Sequence, residues 1–180
     1  MQTFEEILTE GGHTNSLGRA KEVFDIVKAQ PDQMHNLFQC IYSDDAWVRM
    51  RAIDTFEKLV RENPTLARPF TKLLVTDLTN SSQPSVQWHL AQLFTEIELS
   101  QAQRTQAVAW LRERIQTTGV DWIVAVNVMK ALLFFRRSRQ IEDSDLRQLF
   151  NIQTKHTSKS VRKKADQFLL VLPSSLPAES

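Results

Sequence analysis

The sequence predicts an all-α protein of stacked helical hairpins, and three observations carry that prediction. Apolar residues recur at spacings of three and four along most of the chain, the period of an amphipathic helix. Only four glycines and six prolines occur in 180 residues, too few for the many tight turns of an all-β fold. A related pattern returns every 37 or 38 residues, and self-similarity at such a period marks a repeat array.

The elements follow in order. Phe4, Ile7 and Leu8 share a helical face, and Gly11-Gly12 ends that short helix. Ser16 is the expected cap of a helix carrying Leu17, Ala20, Val23, Phe24 and Val27. Pro31-Asp32 starts a third, with Met34, Leu37, Phe38 and Ile41 as its stripe. The acidic turn Asp44-Asp45 leads into a helix from about Ala46 to Glu62, where unpaired N–H groups and the helix dipole favour negative charge. Asn63-Pro64 opens the next, with Leu66, Phe70, Leu73, Leu74 and Leu78. After the turn at 80–84 come Val86, Leu90, Leu93, Phe94 and Ile97. Ser100-x-x-Gln103 has the spacing of a capping box and precedes Ala107, Val108, Leu111 and Ile115, with Gly119 as the expected close. Asp121 caps a run from Trp122 to Phe135, and Asp143 or Ser144 caps one carrying Leu146, Leu149, Phe150 and Ile152. The last helix holds Val161, Ala165, Phe168, Leu169 and Leu172 and stops at Pro173. Residues 173–180 read as a disordered Pro/Ser-rich tail.

The period is visible in both helices of each hairpin. Val48, Val86, Ile123 and Val161 are separated by 38, 37 and 38 residues, and Leu37, Leu74, Leu111 and Leu149 by 37, 37 and 38. Val48-Arg49-x-x-Ala52 returns as Val161-Arg162-x-x-Ala165, with Val86-Gln87-x-x-Leu90 and Ile123-Val124-x-x-Asn127 as degraded versions. A β-branched residue followed four later by a small one lets two helices approach closely. No hairpin buries its apolar face alone, so stacking makes the core. One domain over 1–172 is expected, with repeats at about 32–62, 63–99, 100–139 and 140–172.

The string Asp45-Ala46-Trp47-Val48-Arg49-Met50-Arg51-Ala52, set in a helical hairpin of this length, resembles the HEAT repeat. Gln87-Trp88-His89-Leu90-Ala91-Gln92 adds a likeness to small bacterial HEAT-repeat proteins of unassigned role. The resemblance covers about Asp32 to Leu172. It implies a right-handed α-α superhelix, a solenoid whose second helices line the concave side. It says little of function, because such scaffolds host unrelated activities.

The single Cys40 excludes an internal disulfide and reads as a small core residue. Among His13, His35, His89 and His156 no pair has the i, i+4 spacing of a helical metal site, and these read as surface or interface residues. Adjacent Asp44 and Asp45 read as helix caps rather than a paired-carboxylate site. No metal, cofactor or catalytic constellation is called for. No apolar run approaches the roughly 20 residues of a membrane span, and the acidic start lacks the order of a secretion signal, so a cytoplasmic protein is expected.

Charge is unevenly spread. Residues 1–103 hold nine basic and 14 acidic side chains, whereas residues 104–164 hold 13 basic and five acidic, a net of −5 against +8. The leading expectation is a non-enzymatic scaffold that binds a protein partner through the concave groove, with Met50, Arg51, Trp88, His89, Asn127, Lys130 and Lys164 as candidate groove residues. Within Asp44–Leu59, Arg51 has the better claim to a surface role. The alternative is nucleic-acid binding by the basic half, with Arg136, Arg137, Arg139, Lys159, Arg162 and Lys163 as a candidate basic surface and Trp88 or Trp122 for stacking. An enzyme built on HEAT-like repeats is a third reading that no residue pattern supports. The partner's identity and the oligomeric state stay open.

Overall fold

The computed structural model of the chain describes residues 2–12 and 16–173. His13 and all of the expected tail except Pro173 lie outside them. Among the described residues the protein is all-helical, without a strand. Ten α-helices follow one another: α1 (Phe4–Thr9), α2 (Ala20–Ala29), α3 (Met34–Gln39), α4 (Ala46–Glu62), α5 (Thr71–Thr76), α6 (Pro84–Glu96), α7 (Gln101–Arg114), α8 (Trp122–Arg136), α9 (Asp143–Gln153) and α10 (Lys159–Leu170). Short 3-10 turns flank α3 and α5, the longest being Pro64–Phe70, where Pro69 removes a donor and prevents a regular α-helix.

Several helix starts are set by side chains read from the sequence. Asp45 accepts the backbone N–H groups of Trp47 and Val48, and Asp121 accepts that of Ile123. Ser100 and Gln103 form the reciprocal capping box. Other boundaries differ from expectation. Ser16 accepts the N–H of Gly18 instead of capping, and α2 starts at Ala20 after Arg19. α7 is closed by Ile115 and not by Gly119. Glu142 occupies the cap position of α9, so Asp143 is its first residue.

The chain divides into two compact units, residues 1–98 and 99–180. The division falls between the second and third expected repeats. In the first unit α4 is central: α1, α2, α3 and α6 all pack on it. Its core holds Phe38, Phe56 and Phe70, with Phe38 stacked on Phe70 at 4.4 Å and Phe56 meeting both at 5.3 and 5.5 Å. Offset and edge-on ring pairs of this kind add to the apolar area they bury. In the second unit α7 pairs with α8 and α9 with α10, and α8 also packs on α10. Leu111, Val124, Val128, Leu132, Phe150, Val161 and Ala165 are fully buried there.

The third residue of α4, α6 and α10 is a buried valine: Val48, Val86 and Val161. In α8 that place belongs to Val124, not Ile123, which is half-exposed. The expected register of that copy is therefore corrected by one residue. Asn127 then matches Arg51 and His89, and Val128 takes the slot of Ala52.

The fourth residue of these helices makes one recurring bond. Arg49 donates to the carbonyls of Ser43 and Asp44, Arg162 to those of His156 and Thr157, and Gln87 to that of Ser81. Each reaches back five or six residues and closes the loop before its own helix. A long donor is needed there, and Arg and Gln both supply one. α8 carries Ala125 at this position and lacks the clasp.

Candidate functional site

The second helices carry the residues singled out from the sequence, and each unit is described by itself. In the first unit a stripe of partly exposed side chains runs along α4 (Trp47, Met50, Asp54, Lys58, Arg61) and another along α6 (Ser85, Trp88, Gln92, Glu96). Arg61 Nε donates to Glu96 at 3.2 Å, so the two stripes run side by side. At the other end Arg49 Nε donates to Gln83, and Gln83 donates to the Ala46 carbonyl at 2.8 Å.

Two expected groove residues are not on this surface. Arg51 is buried, at 4% exposure. Its guanidinium donates to the carbonyls of Leu8, Thr9 and Ser16. These carbonyls lie in α1 and the segment that follows it, so Arg51 ties the N-terminal segment to α4. Gly18 completes this contact. It sits at φ +50°, and a Cβ there would lie 2.3 Å from the Gly11 carbonyl oxygen and 3.1 Å from the Arg51 guanidinium carbon. Sequence periodicity places Arg51 on a helix face but cannot show that a distant segment folds across it.

His89 is also buried, at 1% exposure. Its ring stacks on that of Trp88, with centroids 3.4 Å apart. Nε2 lies 3.8 Å from an Asp54 oxygen, and Nδ1 lies 3.8 Å from a Glu57 oxygen. Both distances exceed a hydrogen bond. Burial holds the imidazole neutral and pushes its pKa down to about 3, with Lys58 and Arg61 adding repulsion. Glu57 is 2% exposed, and burial together with the neighbouring Glu96 pushes its carboxyl up to about 7. Arg61 opposes that rise by bonding Glu57 as well as Glu96. The assembly is thus a buried polar cluster pinning α4 to α6. A pair of perturbed groups is often a reactive site, but here neither Glu57 nor His89 reaches the surface. Among the described residues no three His, Cys, Asp or Glu side chains come together to hold a metal ion.

In the second unit the α8 stripe consists of Trp122, Val126, Lys130, Leu133, Phe134 and Arg137. Trp122 is 51% and Phe134 43% exposed. Lys159 and Lys163 are exposed on α10, whose surface also carries Asp166. Asn127 is buried and donates to the Ile123 carbonyl at 2.8 Å, so it serves its own helix and does not line a groove. Lys164 is half-buried with its ammonium 5.8 Å over the Phe168 ring.

The expected basic surface divides. Arg136 is held by a two-pronged pair with Asp143, and Arg162 by its loop clasp. Arg137, Arg139, Lys159 and Lys163 are exposed. Arg136, Arg137 and Arg139 line a cleft of about 470 Å³ with Ile141, Glu142 and Asp143, and those acids offset the cations. Arg139 itself has a left-handed backbone at φ 54°.

Two other histidine and cysteine readings resolve. His156, expected at a surface, is buried: Nδ1 accepts the Ser158 N–H, so Nε2 carries the proton and donates to the Val120 carbonyl. Gln153 donates beside it to the Ile115 and Thr117 carbonyls. Cys40 is a buried filler whose Sγ donates to the Asn36 carbonyl, and burial raises its thiol to about 11, far from a reactive thiolate.

Trp122, expected as a stacking candidate, is exposed, and Trp47 is the exposed aromatic that the sequence reading misses. Each sits in the first turn of a second helix, beside its capping Asp, and that position alone is the available signal. No helix among the described residues is long and apolar enough to cross a membrane. No protein-family model, curated protein or solved structure matches the chain.

Proposed function

We propose that the chain is a non-enzymatic, HEAT-like solenoid scaffold that binds a protein partner through the exposed stripes of α4 and α6. The single observation that carries this is Trp47, at 37% exposure, followed by half-buried Met50 on α4 and Trp88 at the matching fifth position of α6. Large aromatic and thioether side chains are enriched at protein interfaces and supply most of their binding energy. The polar groups further along the stripes are already paired with one another, which leaves the apolar end as the surface to be covered. The loop clasp shared by Arg49, Gln87 and Arg162 supports the HEAT-like reading, since one side-chain role recurs at one repeat position.

The test is copurification from the native cell with the wild-type chain and a Trp47→Ala/Met50→Ala/Trp88→Ala variant. The variant should retain its helical content and lose at least one protein that the wild type recovers. Identical recoveries from both would refute the groove assignment.

A further inference from the structure

Beyond capture of a protein, we propose that the exposed face of α8 and α10 binds a single strand of nucleic acid. Residues 99–180 carry 13 basic and seven acidic side chains, a net of +6, whereas residues 1–98 carry −5. The charge difference therefore follows the division into compact units. Within the second unit several cations are committed elsewhere. Arg112 pairs with Asp145, Arg136 with Asp143, and Arg162 with its loop. Of the exposed cations, Lys130, Arg137, Lys159 and Lys163 lie on α8, at its end, or on α10, whereas Arg104, Arg139 and Lys155 lie on α7 or in the loops.

Charge alone would suit any polyanion. The aromatic residues narrow the choice. Trp122 and Phe134 are both exposed on α8 with Lys130 and Arg137, about 18 Å apart along the axis and about 120° apart around it, with Lys130 between them. Phe134 meets the largely buried Phe135 ring edge-on, at 5.5 Å and 87°, and leaves much of its own ring exposed. Exposed aromatic faces interleaved with cations are what an unpaired strand requires: bases stack on the rings while phosphates meet the ammonium and guanidinium groups. A duplex keeps its bases stacked internally and offers these rings nothing. The exposed acids near these cations are Asp121 beside Trp122, Glu142 in the cleft with Arg137, and Asp166 on α10, three carboxylates against four cations.

The experiment is fluorescence anisotropy with the full chain and fluorescein-labelled dT15, rU15 and a 15-base-pair duplex, from 50 to 200 mM salt. At least one single strand should bind more tightly than the duplex, and four phosphate contacts would give a slope of log K against log salt of about −3. Trp122→Ala/Phe134→Ala should weaken binding by about 30-fold or more with unchanged helicity. Lys130→Glu/Lys163→Glu should weaken it further and flatten the salt slope. Met50→Ala/Trp88→Ala should leave it unchanged while altering protein capture, which separates this proposal from the preceding one. No binding of either strand at 50 mM salt would overturn it. So would equal binding of duplex or polyglutamate, or indifference to loss of both aromatics.

Discussion

The sixth residue of each second helix is polar in all four copies, yet the two units use it differently. In the first unit Arg51 and His89 are buried and reach into neighbouring structure: Arg51 to the carbonyls of the N-terminal segment, His89 into the carboxylates of α4. In the second unit Asn127 bonds one turn back in its own helix, and Lys164 lies half-exposed along Phe168. The same sequence slot thus ties distant carbonyls together at Arg51 and packs an imidazole beside carboxylates at His89, whereas Asn127 bonds its own helix and Lys164 lies at the surface. A buried polar side chain acts through whatever groups close over it, and those groups come from elsewhere in the chain.

The largest expected effect is at this slot. Arg51→Ala removes the donors of three carbonyls in a buried setting and leaves a cavity, and should cost about 3 kcal/mol of stability. Gly18→Ala should loosen the same contact through its positive φ and the clash with the Gly11 carbonyl. Urea denaturation measures the loss, and hydrogen exchange should show α1 losing protection first. A cost at Arg51 no greater than that at Lys164 would break the distinction between the units.

The second contrast is in proton linkage. Glu57 has its pKa raised from 4.5 to about 7, so the folded chain holds a proton that the unfolded chain releases; this destabilises the fold as pH rises from 4.5 to 7, by up to about 3 kcal/mol. His89 has its pKa lowered from 6.5 to about 3, so the unfolded chain binds a proton that the folded chain refuses; this destabilises the fold as pH falls from 6.5 towards 3. Between 4.5 and 6.5 the two slopes oppose and largely cancel. Removing either group should expose the other. Relative to wild type, Glu57→Gln should become more stable as pH rises through 4.5–6.5, and His89→Leu less stable, each by about 2–3 kcal/mol across that window. Urea midpoints across pH 4.5–7.5 test this, and profiles parallel to wild type would show that the cluster is not proton-linked.

The helices were legible because apolar spacing and capping chemistry are local. Asp45, Asp121 and Ser100 act where sequence places them. The third copy was misaligned by one residue because Ile123 and Val124 are both β-branched, and only burial distinguishes them. The candidate surfaces were less legible. Met50, Trp88 and Lys130 lie on partly exposed stripes, but Arg51, His89 and Asn127, each one residue after a stripe residue (Met50, Trp88, Val126), turn inward. One residue is about 100° on a helix, so a small error in phase exchanges a surface residue for a buried one. Charge counts located the basic half but not its pairings. Arg162 looked like free surface charge, although its match to Arg49 already implied a shared structural duty.

That shared duty gives the smaller effects, and here the two units should agree. Arg49→Ala and Arg162→Ala each remove a charged donor from two loop carbonyls that retain some access to water. Each should cost about 1–2 kcal/mol, with Gln87→Ala near the lower end because its bond is neutral. Lys164→Ala removes an ammonium beside a ring at a half-exposed site and should shift stability by about 0.5 kcal/mol or less. Losses of about 1–2 kcal/mol at both Arg49 and Arg162, the former the larger because Arg49 also donates to Gln83, beside unequal losses at Arg51 and Lys164 would show that the fourth position carries a repeat-wide role and the sixth a unit-specific one. If Arg162→Ala costs no more than Lys164→Ala, the clasp is a geometry without energetic weight, and Arg162 returns to the set of cations available to a ligand.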